Sequence, residues 1–242
     1  MPPRYFFDSV ASSESKGKIL KDTVWHKVTG PGFQNQMGDC VRMSDIHNKV
    51  IVLNFFFSRC PSICPGLTKN MKRLQDSFKN SDSIIQFISI SVDPLHDSVP
   101  VMRKYADRFA VNHDNWWFLT GDKKQLYEFS MSEVKAGIAD TKVDSTFIHT
   151  ENFFLLDTNH VIRGWYNGFD EKKLAQLAKD IPLLMLEKDK TSPSIFRRFI
   201  PILPLIFIGI AIVFVVTILL QRNRNKFSKT YDSDGADIEK ER

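Results

Sequence analysis

Two cysteines separated by three residues are the groups best suited to chemistry in this 242-residue chain. Cys60 and Cys64 lie in the stretch CPSICP, residues 60–65. Thiolates are the nucleophiles of disulfide exchange and the preferred ligands of soft Cu(I). Three intervening residues widen the loop relative to the common two-residue redox motif and leave room for a metal ion between the sulfurs. The spacing therefore predicts a copper site or a redox-active disulfide, with two inert core cysteines as the alternative.

Two sulfurs alone make an incomplete metal site, and an imidazole nitrogen would complete a three-coordinate Cu(I) site. Of the six histidines, His149 is the best placed, because it stands just before a predicted strand whose preceding loop packs against the cysteine loop in a thioredoxin-like fold. His96, beside Asp93 and Asp97, is the second choice. The remaining four are predicted to be ordinary structural or surface residues: His26, His47, His113 and His160.

A strand and a helix must position the two thiols. Residues Val50 to Phe57 form a nearly continuous β-branched and aromatic run, which predicts a central strand of a parallel sheet covered on both faces. Beyond Pro65, apolar residues from Leu67 to Phe78 recur at spacings of four, three and four, as on one face of a helix. The thiols thus lie at the carboxyl end of a strand and the start of a helix, where the helix dipole favours thiolate.

The rest of the chain repeats this alternation. The further predicted elements are a strand at Ile84 to Val92, a helix at Val99 to Phe109, a strand at Trp116 to Leu119, a helix at Lys123 to Phe129, strands at Asn152 to Leu156 and Val161 to Tyr166 joined by a turn at 157–160, and a helix at Glu171 to Leu186. Short strands near 24–28, 33–35 and 40–43 predict an N-terminal β-hairpin. This order predicts an α/β thioredoxin-like fold.

Charge and composition exclude several classes of protein. The 33 Lys and Arg residues against 28 Asp and Glu give a net charge of +5 without a basic block, which argues against nucleic-acid binding. Three cysteines are too few for a disulfide-stapled mini-protein. The predicted organisation is a flexible leader at 1–22, the thioredoxin-like domain at 23–187, a linker at 188–198, an apolar segment at 199–220 and a charged tail at 221–242.

Residues 199–220 contain no charged side chain. As a helix they would reach about 33 Å, against about 30 Å for the hydrocarbon core of a bilayer. They predict a C-terminal transmembrane helix. Four Lys or Arg residues flank the segment closely on each side, so the distribution of charge does not decide its orientation.

Several motifs together resemble the Sco/SenC family of membrane-tethered, thioredoxin-fold copper proteins that serve cytochrome c oxidase assembly. The motifs are FFFSRCPSICP at 55–65, SVDPLHDSVP with Tyr105 and Phe109 at 91–109, WWFLTGD at 116–122 and FIHTENFFLLD at 147–157. The resemblance extends from about Trp25 to Leu186. It implies that Cys60 and Cys64 bind copper and form a disulfide when oxidised, that His149 is the metal-binding histidine, and that Asp93 and Asp97 are acids near the site.

The resemblance implies a metallochaperone that delivers copper to the oxidase subunit carrying the copper centre, with a thiol reductant or a copper donor protein as a second partner. The alternative is an enzyme, a membrane-tethered thiol-disulfide oxidoreductase that needs Cys60 and Cys64 but not His149. A third reading, an interaction module with an inactive thioredoxin fold, leaves the paired cysteines without a purpose.

Three features of the sequence depart from the family pattern. Ile148 stands where many members have an acidic residue before the histidine, and Cys40 has no counterpart in the metal motif and is expected to be a hairpin residue. Members usually carry an N-terminal anchor or signal, whereas residues 1–18 contain no long apolar stretch. Because the family acts outside the cytoplasm, we expect an extracytoplasmic domain, a cytoplasmic tail from Gln221, and an export signal encoded upstream of Met1.

Overall fold

The computed structural model describes residues 1–15, 18–139 and 150–187, together with Gly209, residues 213–218 and Leu220. The chain divides into two compact units, Met1–Glu187 and Lys188–Arg242. All of the strands described belong to the first unit, and so do both cysteines of the motif.

A five-stranded mixed sheet forms the centre of the first unit, in the order β7-β6-β5-β8-β9. Its strands are β5 (Val50–Phe56), β6 (Ile85–Ser91), β7 (Trp116–Leu119), β8 (Asn152–Leu156) and β9 (Ile162–Asn167). Strands β5, β6 and β7 are parallel, whereas β8 runs antiparallel to β5 and to β9. Every residue of β5 and β6 is buried, as the apolar runs in the sequence predict.

Helices cover both faces of this sheet. Helices α1 (Ile63–Ser77), α2 (Val99–Arg108) and α5 (Glu171–Met185) pack with Val52 and Phe56 on one face. The other face, with Ile51 and Leu53, is covered by α3 (Lys123–Glu128), the π-helical turn Phe129–Glu133, α4 (Ala136–Ala139) and the chain before β5. The helices on the two faces of the sheet thus confirm the predicted thioredoxin-like α/β fold.

The N-terminal region contains two hairpins instead of one. Strands β3 (Phe33–Gln34) and β4 (Cys40–Val41) pair where the sequence predicts a hairpin. Strands β1 (Phe7–Ser15) and β2 (Lys18–Trp25) form a second antiparallel ribbon over most of the expected leader. The prediction of little fixed structure at 1–22 is therefore wrong for the residues described there. Residues 7–15 are mostly polar, so they lack the apolar alternation that would have revealed a strand.

The first residues of the chain pack against β9, so they too differ from the predicted flexible leader. The backbone N–H of Tyr5 donates to the carbonyl of Ile162 at 2.9 Å. The buried guanidinium of Arg163 donates to the carbonyls of Pro2, at 2.6 Å, and Pro3, at 3.1 Å, and it pairs with Asp157 and Glu187. One buried cation thus holds the start of the chain to the sheet.

Among the residues that the structure describes, no helix is both long and apolar enough to cross a bilayer. Gly209, residues 213–218 and Leu220 are helical, and the rest of the predicted span at 199–220 lies outside the described residues. The predicted linker at 188–198 and tail at 221–242 lie outside them as well.

Candidate metal and redox centre

The cysteine loop connects the end of β5 to the start of α1. Strand β5 ends at Phe56, α1 begins at Ile63, and a backbone hydrogen bond from Cys60 to the carbonyl of Phe57 closes the turn between them at 3.2 Å. Cys60 and Cys64 are both free thiols and both buried. The strand-loop-helix arrangement therefore places two protected sulfurs at the carboxyl edge of the sheet, as the sequence predicts.

Cys60 is arranged to carry a negative charge. The backbone N–H of Cys64 donates to the Cys60 sulfur at 3.3 Å, and the Ser62 hydroxyl lies 3.9 Å from it. Burial alone would raise the pKa of the Cys60 thiol, but hydrogen bonds from Cys64 and Ser62 outweigh burial and lower it. Ser62 is also the N-cap of α1, where the helix dipole stabilises an anion.

Cys64 is arranged to keep its proton. Burial raises the pKa of its thiol to about 12, and the neighbouring Cys60 sulfur and the Asp97 carboxylate contribute in the same direction. The surroundings of the pair therefore shift the two pKa values in opposite directions, that of Cys60 downward and that of Cys64 upward.

Two acids from the loop after β6 contact the residues that precede Cys60. Asp93 accepts hydrogen bonds from Arg59, at 2.7 Å, and from His96, at 2.8 Å. Burial would raise the pKa of Asp93, but the hydrogen bonds from His96 and Arg59 lower it. Asp97 is completely buried and accepts from the backbone and the hydroxyl of Ser58. Both acids thus lie beside the cysteine loop, where the resemblance expects them.

His96 is not brought together with the thiols as a ligand in this arrangement. Its Nδ1 atom is engaged with Asp93, and about half of its side chain is exposed to solvent. Within the described ranges, no three His, Cys, Asp or Glu side chains are arranged to hold a metal ion. The second-choice ligand therefore takes part in an ion-pair network with Asp93 and Arg59 rather than in a site with Cys60 and Cys64.

His149 lies outside the described residues, but the chain immediately after it is well placed. Thr150 is buried, and β8 begins two residues later at Asn152. Because β8 is antiparallel to β5 and Phe154 pairs with Leu53, the start of β8 lies at the sheet edge where β5 ends. The described chain thus resumes with Thr150 and β8 at the edge of the sheet that carries the cysteine loop.

A loop between β9 and α5 joins this part of the chain to α1. The Asn70 side chain of α1 donates to the carbonyl of Gly168 at 2.7 Å, and the backbone N–H of Gly168 donates to the carbonyl of Glu151 at 2.8 Å. A Cβ atom at Gly168 would lie 2.4 Å from Leu67 of α1. The absence of a side chain at 168 thus allows α1 and the start of β8 to approach each other.

The other histidines and Cys40, which the sequence predicts to be structural or surface residues, make their contacts away from the thiols. Three histidines make hydrogen bonds elsewhere in the unit: His26 with Asp8, His113 with Asp107, and His160 with the carbonyl of Ile46. Burial lowers the pKa of His160. His47 lines a surface cleft with His160. Cys40 is an exposed residue of the β3–β4 hairpin.

Sequence reasoning missed two hydroxyl groups that support the site. The Thr68 hydroxyl donates to the carbonyl of Cys64 at 2.9 Å, and the Tyr105 hydroxyl, 3.0 Å away, donates to Thr68. Burial raises the pKa of Tyr105 to about 12, which keeps this donor protonated. The spacing of four residues between Cys64 and Thr68 was the available signal, because a helical threonine can bond to the carbonyl one turn earlier.

Comparisons of sequence and of structure with known proteins agree on one family. Residues 27–185 match the family model SCO1/SenC. The SCO1 protein homolog of Bacillus subtilis is 30% identical over 166 residues, which cover 68% of this chain and 86% of that protein. A SCO1/SenC family lipoprotein from Bacillus anthracis has a similar structure, with a TM-score of 0.58 and 30% identity over 66% of this chain and 95% of that one.

Two further solved structures are informative. BsSco, described as a member of the Sco family of cytochrome c oxidase assembly proteins with a disulfide switch, gives a TM-score of 0.58 and 30% identity over 70% of this chain and 99% of that one. Yeast Sco1 with copper bound gives a TM-score of 0.53 over 69% of this chain and 98% of that one. Its identity of 20% shows the fold alone.

Proposed function

Because the chain belongs to the SCO1/SenC family, we propose that it binds copper through Cys60, Cys64 and His149 and delivers it to the copper centre of cytochrome c oxidase. The observation that carries this proposal is the pair of buried cysteines at the end of β5, joined by the hydrogen bond from the N–H of Cys64 to the Cys60 sulfur. Relatives of this fold bind copper, as the copper-bound yeast Sco1 shows.

The chemistry of the two sulfurs fits copper. Thiolates are soft ligands that favour Cu(I) over harder cations. The N–H groups at the start of α1 lower the pKa of the Cys60 thiol, so it gives up its proton to a cation more readily than an ordinary cysteine does. Cys64 holds its proton until a positive charge replaces it, which couples metal binding to proton release. Burial of both residues excludes water from the sulfurs.

We propose the imidazole of His149 as the third ligand, and the position of the residues that follow it supports this. Thr150 and the start of β8 lie at the carboxyl end of β5, and the 168 loop bridges them to α1. A nitrogen ligand from this segment would complete the two-sulfur set. Copper bound there is held for transfer to the oxidase subunit, with a thiol reductant or a copper donor protein supplying the reduced, loaded state.

A second candidate function is thiol-disulfide exchange, which the lowered pKa of Cys60 and the raised pKa of Cys64 favour. The Cys60 thiolate would attack a sulfur of a partner's disulfide and release one partner thiolate. Cys64, after giving up its proton, would then attack Cys60 in the mixed disulfide, forming the Cys60–Cys64 disulfide and releasing the second partner thiolate. The partner is reduced by two electrons and the cysteine pair is oxidised by two. The disulfide switch described for BsSco supports this candidate.

We further propose that residues 199–220 anchor the protein in the cell membrane, with the folded unit outside the cytoplasm. The length and apolar character of this segment support an anchor. The SCO1/SenC family lipoprotein among the structural relatives supports an association with membranes.

The decisive experiment measures copper in the purified, reduced full-length chain in detergent. We expect one copper ion per chain, with Cu–S and Cu–N contacts in X-ray absorption spectra. A Cys60→Ser, Cys64→Ser double variant should lose this copper, whereas Cys40→Ser, which removes the exposed third thiol, should retain it. Full copper content in the double variant would reject the assignment of the site.

The His149→Ala variant separates the two candidate functions. Copper affinity should fall by at least tenfold, because imidazole completes the metal site. Formation of the Cys60–Cys64 disulfide should remain nearly unchanged, because sulfur-sulfur bonding does not require the imidazole. Unchanged copper affinity would favour the oxidoreductase and redirect the search for a nitrogen ligand to His96.

A further inference from the structure

We propose that Asp97 is a positioning residue of the Cys60–Cys64 site, which it holds in shape through Ser58. The inference deepens the proposed function, and it rests on the proposed role of the two cysteines. It concerns the loop that presents the sulfurs, so it can be tested with and without copper.

The carboxylate of Asp97 receives three hydrogen bonds from the ends of two parallel strands. The hydroxyl of Ser58 donates to it at 2.5 Å, and the backbone N–H of Ser58 lies 3.2 Å from both of its oxygens. The hydroxyl of Ser91, the last residue of β6, donates at 2.6 Å. Asp97 therefore connects the chain leaving β5 to the end of β6.

These contacts begin where the pairing of the strands stops. The backbone N–H of Val92 donates to the carbonyl of Phe56 at 2.9 Å, beyond the register that pairs Phe56 with Ser91. Ser58 then follows without a place in the sheet, and its backbone N–H is bonded to the side chain of Asp97. The Asp97 carboxylate thus links the chain after β5 to β6 two residues beyond the end of β5.

The burial of Asp97 is costly in free energy. Its side chain is fully buried, and the groups that donate to it in the described part of the chain are neutral. A buried carboxyl group is tolerated only when hydrogen bonds replace its hydration. The same hydrogen bonds fix the backbone and the side chain of Ser58, where the chain leaves β5 for the cysteine loop.

Ser58 is two residues before Cys60, and its position sets the direction of the turn that presents the sulfur. The turn is closed by the hydrogen bond from Cys60 to Phe57, and it directs the Cys60 sulfur to the N–H of Cys64 at the start of α1. If Ser58 moves, this N–H and the sulfur lose their alignment. The reduced form, in which the Cys60 sulfur accepts this hydrogen bond, then loses more stability than the disulfide form.

The test is the equilibrium of the Cys60–Cys64 disulfide with glutathione in the copper-free full-length chain. We expect Asp97→Ala to shift the equilibrium constant toward the disulfide by about tenfold, because the hydrogen bond that the N–H of Cys64 donates to the Cys60 sulfur in the reduced form is weakened. Asp97→Asn should shift it less, since the amide oxygen can still accept from Ser58. Ser58→Ala should give a part of the Asp97→Ala shift, and the double variant should shift no further than Asp97→Ala alone.

Asp157→Ala is the matched control. Asp157 is also a buried carboxylate that accepts from backbone N–H groups, but it lies in the β8–β9 turn. Its replacement should lower the free energy of unfolding equally in the oxidised and reduced forms and leave the glutathione equilibrium unchanged. If Asp97→Ala does not fold, Asp97→Asn and Ser58→Ala carry the same test.

The inference is rejected if the Asp97 and Ser58 variants keep the wild-type equilibrium, or if Asp157→Ala shifts it to the same extent. Copper measurements on the same samples keep the two proposals apart. A wild-type chain that binds no copper would reject the proposed function while a shifted disulfide equilibrium upholds the role of Asp97. Normal copper binding with an unshifted equilibrium would uphold the proposed function and reject the role of Asp97.

Discussion

The two cysteines of one short loop have opposite tendencies to ionise, and their surroundings explain the difference. Cys60 receives N–H groups from the start of α1, and these lower its pKa. Cys64 lies within α1, faces the packed core, and has Asp97 and the Cys60 sulfur as negative neighbours, so its pKa is raised to about 12. The first sulfur can therefore react or bind a cation while the second remains a thiol.

This difference predicts the pH dependence of alkylation in the reduced, copper-free protein. Cys60 should react with iodoacetamide below the pH at which an ordinary cysteine does, because its pKa is lowered. Cys64 should remain unmodified up to about pH 10, because its pKa is raised to about 12 and its side chain is buried. Mass spectrometry of peptides alkylated between pH 5 and about pH 10 measures both reactions.

Cys40, which is exposed, serves as the internal reference for this experiment. Preferential alkylation of Cys64, or equal rates for Cys60 and Cys64 across the range, would contradict the opposite shifts of the two pKa values. A Ser62→Ala variant should move the Cys60 profile only slightly, because the shorter contact to Cys60 comes from the N–H of Cys64.

At the scale of elements, three segments meet at the carboxyl edge of the sheet. Helix α1 begins there, β8 starts there, and the loop around Gly168 joins them through Asn70 and Glu151. Gly168 is the tightest of these junctions, because a Cβ atom would lie 2.4 Å from Leu67 and 3.0 Å from the carbonyl of Glu151. A larger residue at 168 therefore requires Leu67 of α1 and the backbone at Glu151 to shift away from it.

Gly168→Ala should therefore lower the free energy of unfolding by about 1–3 kcal/mol, the usual cost of overpacking. Copper affinity should fall in the same variant, because the cysteine helix and the strand that follows His149 are moved apart. Urea denaturation and a competitive copper titration measure the two effects. Gly121→Ala is the matched control, since its Cβ atom would meet one flexible Phe33 ring at 3.2 Å on the opposite face of the sheet. A larger loss of copper affinity in the control would contradict the prediction.

The elements that the sequence predicts best are those with strong apolar periodicity. The strand at Val50–Phe56 and the helix at Val99–Arg108 agree with their predicted bounds within one residue, and the strand at Trp116–Leu119 agrees fully. Helix α1 begins at Ile63, earlier than its apolar face suggests, because Pro65 in a first turn needs no amide donor. The polar β1–β2 ribbon has no apolar pattern, so its pairing could not be read from the sequence.

The same distinction applies to the site. The positions of Cys60 and Cys64 follow from a strand-helix junction, which is a local property of the sequence. The contacts of Ser58 with Asp97 and of Thr68 with Tyr105 join residues 39 and 37 positions apart, and only the packed fold brings them together. The ligand role of His149 stays a prediction.

For the whole molecule, the proposed arrangement is a folded unit outside the cytoplasm and an anchor at 199–220. In intact cells, externally added protease should degrade the folded unit but spare a tag placed after Arg242. Immunoblotting against both parts, with a cytoplasmic protein as the control for lysis, measures this. Protection of the folded unit from protease would place it in the cytoplasm and exclude delivery to an external copper centre.

The ion pairs of Arg163 have a mechanical consequence. Arg163 binds the carbonyl of Pro2 and the carboxylate of Glu187, so the two ends of the folded unit are joined through one side chain. A pulling force applied at residue 187 therefore acts on this ion pair as well as on the backbone hydrogen bonds that end α5. The close ends also make the unit suited to circular permutation, with a short peptide joining residue 187 to residue 1.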